Sequence, residues 1–145
     1  MHKKPERLIC ARRIEFDAAH RIIGHAGKCK YLHGHRYILE ASFEAQFKGA
    51  RDMVVDFGLI KEVLANWINC NWDHTTILSI DDRELGSCIE HYTKQKIFYM
   101  DKAPTAENMS TILIREIIPS LFKGTDVNCY KVRIYETPNC YAEIE

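Results

Sequence analysis

Apolar and polar residues alternate along the first third of the chain with the two-residue period of half-buried strands. Over residues 8–20, Ile14, Phe16, Ala18 and His20 share one face. A loop carrying Gly24 and Gly27 is expected at 21–30. A longer alternation then runs over 33–47 through His33, His35, Tyr37, Leu39, Ala41, Phe43 and Ala45. A polar connection at 48–52 leads into a short apolar run at 53–55. There the period lengthens. Phe57, Ile60, Leu64, Trp67 and Ile68 recur at helical spacing behind Asp56, whose carboxylate suits an N-cap. Residues 71–94 are polar and irregular apart from an apolar patch at 77–80, and 96–100 suits a brief strand. Pro104-Thr105 opens a second helix, with Thr105 as its cap and Met109, Leu113, Ile117 and Leu121 on one side. Pro119 is expected to end or kink that helix. Two closing strands are predicted at 127–136 and 140–145, joined by the turn Thr137-Pro138-Asn139.

The order β-β-α-α-β-β lacks the alternation of a parallel sheet, so the expected class is α+β. The expectation is one domain over residues 1–145, a four-stranded antiparallel sheet with two helices on one face. Such a sheet has open edges, which invite pairing with other subunits. Lys plus Arg and Asp plus Glu each number 20, so the formal charge is zero. That balance argues against a nucleic-acid binder and against an anionic-membrane binder. The charge is uneven, however: residues 1–36 hold nine basic and three acidic side chains, and residues 73–90 hold one and five. The basic third either draws in a phosphate ester or is a solvated face. No stretch approaches the ~20 apolar residues of a membrane span. Residues 1–6 are polar and lack the apolar centre of a signal peptide. Six cysteines form no C-x-x-C pair, so free thiols in a reducing cytoplasm are expected.

His33-Gly34-His35 is the sharpest local signal. On a strand, positions i and i+2 point the same way, so both imidazoles can reach one ion, and Gly34 removes bulk from the opposite side. His20 ends the preceding strand, and an antiparallel hairpin brings it beside them. Three neutral imidazoles leave one position of a tetrahedral zinc open, the pattern of catalytic sites. The alternative is three ordinary strand histidines. Cys29, four residues before His33, is either a thiolate nucleophile or base, or a small buried hydrophobe. Asp73-His74 offers an acid–base pair, but neighbours on a regular element face apart, so a turn or another partner must arrange them. Glu107 has a simple reading as an acid in the first turn of a helix. Glu136 does not: it continues the face of Tyr130, Val132 and Ile134, where a carboxylate needs partners. A ring presenting two parallel N–H donors would supply them.

Together these residues resemble the family of 6-pyruvoyl-tetrahydropterin and 6-carboxy-tetrahydropterin synthases. Phe16-Asp17-Ala18-Ala19-His20 is similar to its first zinc-ligand motif. Gly27-Lys28-Cys29 with Leu32-His33-Gly34-His35 is similar to its cysteine and paired-histidine motif. Val55-Asp56-Phe57, Asp73-His74, Pro104-Thr105-Ala106-Glu107-Asn108 and Tyr135-Glu136-Thr137 follow in the family's order. The resemblance implies a tunnelling fold (T-fold) that assembles into a homohexamer with sites between subunits. It implies Zn²⁺ on His20, His33 and His35, proton transfer by Cys29, Asp73 and His74, and pterin binding by Glu107, Glu136 and Thr105. Three residues separate Cys29 from His33, as in the bacterial carboxy-synthases. The expected reaction converts 7,8-dihydroneopterin triphosphate to 6-carboxy-5,6,7,8-tetrahydropterin, acetaldehyde and triphosphate, toward queuosine-type deazapurines. The alternatives are a 6-pyruvoyl-tetrahydropterin synthase and, more remotely, a non-catalytic binder of pterin and metal. The segment 79–102 is less typical of the family.

Overall fold

Two long strands, β1 (Leu8–His20) and β2 (His33–Ala45), pair antiparallel over their whole length and set His20 directly across from His33. The computed structural model describes residues 7–45 and 53–145. The connection at 48–52, the predicted end of the second strand at 46–47 and residues 1–6 lie outside these. The loop between β1 and β2 holds one tight turn, Lys28–Lys30, and the Ile22 amide donates to the Cys29 carbonyl at 2.8 Å. Helix α1 runs over 57–71. The Asp56 side chain caps it by accepting from the Gly58 amide, as the sequence predicts.

The segment 71–94 departs from expectation. It contains strand β3 (Thr75–Ser79) and helix α2 (Arg83–Thr93), followed by β4 (Ile97–Met100). β3 runs parallel to β1, and β4 parallel to β3. Parallel neighbours need a crossover, which α2 supplies. After α3 (106–121), β5 (Asn128–Thr137) and β6 (Cys140–Ile144) add to the other side of β2 as antiparallel strands. The result is a six-stranded mixed sheet in the order β4-β3-β1-β2-β5-β6, not the four-stranded antiparallel sheet read from the sequence.

Helices α1 and α3 lie on one face, as expected, and bury Ile60, Leu64, Ile68, Trp72, Met109 and Leu113 against Phe16, Tyr37, Leu39 and Val132. A third helix, α2, covers the other face of β3 and β4. Phe98 packs on Trp67 and Trp72 of the α1 side, while Tyr99, its opposite-facing neighbour, lies against Gly86 of α2. β3 is thus buried along its whole length, which explains why it carries no alternation to read. Pro119 sits in the last turn of α3, behind a widened turn at 113–117 where the missing N–H is accommodated. No helix among the described residues is long and apolar enough to cross a membrane.

Candidate active site

His20, His33 and His35 meet on the core face of the β1–β2 pair, their ligand-competent nitrogens all within 4.8 Å of one another. Strand alternation supplies two of them and the strand pairing supplies the third. Backbone carbonyls fix the tautomers. Pro104 O lies 2.7 Å from His20 Nδ1 and Tyr31 O lies 2.7 Å from His33 Nδ1. A carbonyl only accepts, so each Nδ1 carries its proton and each Nε2 presents a lone pair. The Nε2 atoms of His20 and His33 stand 3.1 Å apart, acceptor facing acceptor. His35 Nε2 is buried with no hydrogen-bond partner among the described residues. Such an arrangement needs a cation or a shared proton between the rings. Burial, with the neighbouring imidazoles adding to it and the Pro104 contact opposing, lowers the His20 pKa to about 4, which disfavours the proton. Burial likewise lowers the His35 pKa. Three neutral, convergent imidazoles are the donor set of a metal centre.

Glu136 reaches the same spot from β5, its oxygens 3.9 Å from His20 Nε2 and 3.8 Å from His35 Nε2. The inward orientation predicted from period two therefore holds. Tyr37 forms the floor, its ring edge-to-face with His20 and His35 at 5.8 and 5.4 Å. Pro104 leads straight into α3, where the Thr105 hydroxyl oxygen accepts from the Asn108 amide at 3.1 Å and so acts as the predicted cap. Glu107 follows in the first turn with an exposed side chain. Cys29 is half-buried in the Lys28–Lys30 turn and is not among the residues clustered on the imidazoles.

Asp73 and His74 form a second group. His74 adopts a left-handed conformation (φ 56°), the turn that lets adjacent side chains meet, and its Nδ1 lies 2.9 Å from Asp73 Oδ2. The hydrogen bond and charge of Asp73 raise the His74 pKa. Burial would raise the Asp73 pKa, but the Asp17 amide and His74 outweigh it and hold that carboxyl below its ordinary range. This pair clusters with Asp17, which alternates to the face opposite His20. Within one chain the sheet separates it from the imidazoles.

The 6-pyruvoyl tetrahydropterin synthase family profile matches residues 9–145. The chain belongs to this family. Proteins of Rickettsia felis and Rickettsia conorii named 6-carboxy-5,6,7,8-tetrahydropterin synthase are 54% and 52% identical over 135 residues, covering 93% of this chain and 98% of theirs. Like them, the chain is an enzyme of the lyase type. Among solved structures, an uncharacterised Wolinella succinogenes protein superposes with TM-score 0.82 at 20% identity, covering 96% of this chain and 98% of that one. Caenorhabditis elegans 6-pyruvoyl tetrahydropterin synthase superposes with TM-score 0.68 at 21% identity, covering 97% and 96%. These likenesses establish the fold: a curled mixed sheet with three helices, the T-fold of this synthase family.

Sequence reasoning gave no role to Asp17, Arg36 or Gln95, which surround the Asp73–His74 pair. Asp17 stands within the motif Phe16-Asp17-Ala18-Ala19-His20, yet its partner Arg36 is visible only in the strand register. The basic N-terminal third is neutralised only in part among the described residues: Arg7 pairs with Glu44, Arg21 with Asp82, and Arg36 with Asp17 and Glu15. Asp82 belongs to the acidic stretch, so one ion pair joins the two skewed segments.

Proposed function

We propose that the enzyme is a zinc-dependent 6-carboxy-tetrahydropterin synthase acting on 7,8-dihydroneopterin triphosphate. The observation that carries this reading is the convergence of three imidazole nitrogens beside the inward carboxylate of Glu136. His20, His33 and His35 would hold Zn²⁺. Zinc bound there supplies Lewis acidity toward the substrate's side-chain hydroxyls, which acidifies the adjacent C–H. Glu136, partly exposed and free to receive a ligand, accepts paired N–H donors from the pterin ring. Its place beside two imidazoles would set the ring edge close to the nitrogens that hold the metal. Glu107 and the hydroxyl proton of Thr105 flank the same helix start.

Cys29 acts as the thiolate that takes and returns a proton at the side-chain carbon. Its carbonyl is tied to Ile22, and only three residues separate it from His33, so the loop has little freedom. Lys28 and Lys30 bracket Cys29 and have no ion-pair partner among the described residues, which suits contact with the triphosphate. His74, charged more readily because of Asp73, handles the proton on the other side. Because the sheet separates this pair from the imidazoles of its own chain, the second proton carrier comes from a neighbouring copy in a cyclic homo-oligomer, by resemblance a hexamer. Free cysteines throughout agree with a reducing cytoplasm.

The choice of the carboxy product rests on relatives at 50–54% identity and on the Cys29–His33 spacing. Cys29→Ala tests the assignment of roles. Turnover should fall by about a hundredfold or more while zinc content and folding stay unchanged. Loss of the metal in that variant would make Cys29 a ligand, and undiminished turnover would make it a packing residue.

A further inference from the structure

The Asp73–His74 pair is held from outside its own turn. The Asp17 amide donates to Asp73 Oδ1 at 3.0 Å, and the Asp17 carbonyl accepts from the His74 amide at 2.6 Å. The Asp17 carboxylate lies within 4.8 Å of the donor atoms of both residues. Directly across the strand pair, Arg36 donates to Asp17 Oδ2 at 2.7 Å and to Glu15 Oε2 at 3.4 Å. Gln95 closes the far side, donating from its amide to the His74 carbonyl at 3.2 Å and accepting from the Thr76 hydroxyl at 2.6 Å. Asp17, Arg36, His74 and Gln95 line an open cleft of about 350 Å³.

Two carboxylates and an imidazole at this spacing make the donor set of a cation site. Arg36 argues against one, because its guanidinium already stands on Asp17 and would repel a second cation. The charges that face His74 among the described residues are Asp73 from its own turn, Asp17 from β1 and Arg36 from β2, with Glu15 sharing Arg36. Gln95, beside β4, is neutral. Asp17 favours the imidazolium and Arg36 disfavours it.

We propose that Asp17 is a positioning residue whose backbone holds the Asp73–His74 pair in its working geometry, and that its carboxylate and the Arg36 guanidinium bonded to it balance the pair between its two protonation states. This rests on the reading of that pair as a proton carrier. Asp17→Asn keeps the backbone contacts but removes one negative charge and frees Arg36. Arg36→Gln removes the opposing positive charge. The two substitutions should move the His74 titration midpoint in opposite directions, down for Asp17→Asn and up for Arg36→Gln, by about half a pH unit each at low salt.

The test is a titration of the His74 ring proton by NMR in the zinc-loaded protein, with the pH profile of kcat recorded beside it. Arg36→Lys keeps the charge and should return the midpoint toward the wild-type value. Opposite shifts with rescue by lysine support the proposal. Shifts of the same sign, or no shift, overturn it, because a merely structural role would lower activity without moving the midpoint. His74→Ala separates the role of the pair from the role of its neighbours. Undiminished turnover there removes the pair from catalysis, whereas lost turnover with unmoved midpoints in the Asp17 and Arg36 variants overturns the proposal and leaves the pair's own role standing.

Discussion

At His20 a single carbonyl decides the chemistry. Pro104 O accepts the hydrogen bond that the Nδ1–H donates, so Nε2 faces the other imidazoles as an acceptor. Two imidazoles make a poor tetrahedral cage, so His33→Ala or His35→Ala should strip zinc from the purified protein. Metal analysis of both variants checks this, and full retention would remove them from the coordination shell. The same burial has a consequence for the metal-free chain. The His20 pKa falls from 6.5 unfolded to about 4 folded, so between these values the unfolded chain binds more protons. Stability of the metal-free protein should therefore be insensitive to this group above pH ~6.5 and should fall as pH drops toward ~4, by on the order of 3 kcal/mol. Urea midpoints across that window, compared with His20→Gln, test it: the variant should show the shallower slope, and equal slopes would contradict the assignment. The histidines were legible because strand periodicity and one hairpin suffice to bring them together. Asp17 and Arg36 were not, since their meaning depends on which residue of β2 falls opposite β1.

Elements that read clearly in the sequence are those with one wet face. β1, β2 and α1 expose a polar side and so show their period, whereas β3 is covered by α1 on one side and α2 on the other. Its Thr75, Thr76 and Ser79 are buried polar residues whose hydroxyls bond locally, to Trp72, Gln95 and the Asp81 amide respectively. Helix α2 carries few large apolar residues because it packs through a glycine. A Cβ at Gly86 would come within 2.1 Å of the Tyr99 hydroxyl and 2.8 Å of its ring carbon Cζ. Alanine ordinarily stabilises a helix interior by about 1 kcal/mol over glycine. Here overpacking should win, and Gly86→Ala should destabilise by about 1–3 kcal/mol. Chemical denaturation decides, and a neutral or stabilised variant would show that Tyr99 gives way freely. Gly34 has a milder version of the same constraint, since a Cβ there would stand 3.2 Å from the Ala18 carbonyl oxygen.

On the proposed reading, one chain carries two halves of a site, the imidazole cluster and the Asp73–His74 pair, on opposite faces of its sheet. Mixed oligomers of Cys29→Ala and His74→Ala subunits, each inactive alone, should recover activity, approaching about a quarter of wild type under random mixing, because some interfaces then pair two intact halves. Absence of any recovery in a verified mixed oligomer, or an active monomer by light scattering, would place both halves within one chain. The family, the T-fold and the candidate ligands were accessible from local motifs taken in order. The third helix and the parallel strands were not, since they arise from long-range packing of a segment with little pattern of its own. The product is read most directly by incubating the zinc-loaded enzyme with 7,8-dihydroneopterin triphosphate, with mass spectrometry of the pterin and acetaldehyde trapped as a hydrazone. A 6-carboxy-tetrahydropterin synthase should give 6-carboxy-5,6,7,8-tetrahydropterin and one acetaldehyde per pterin formed. A 6-pyruvoyl product with triphosphate release and no acetaldehyde would contradict that assignment.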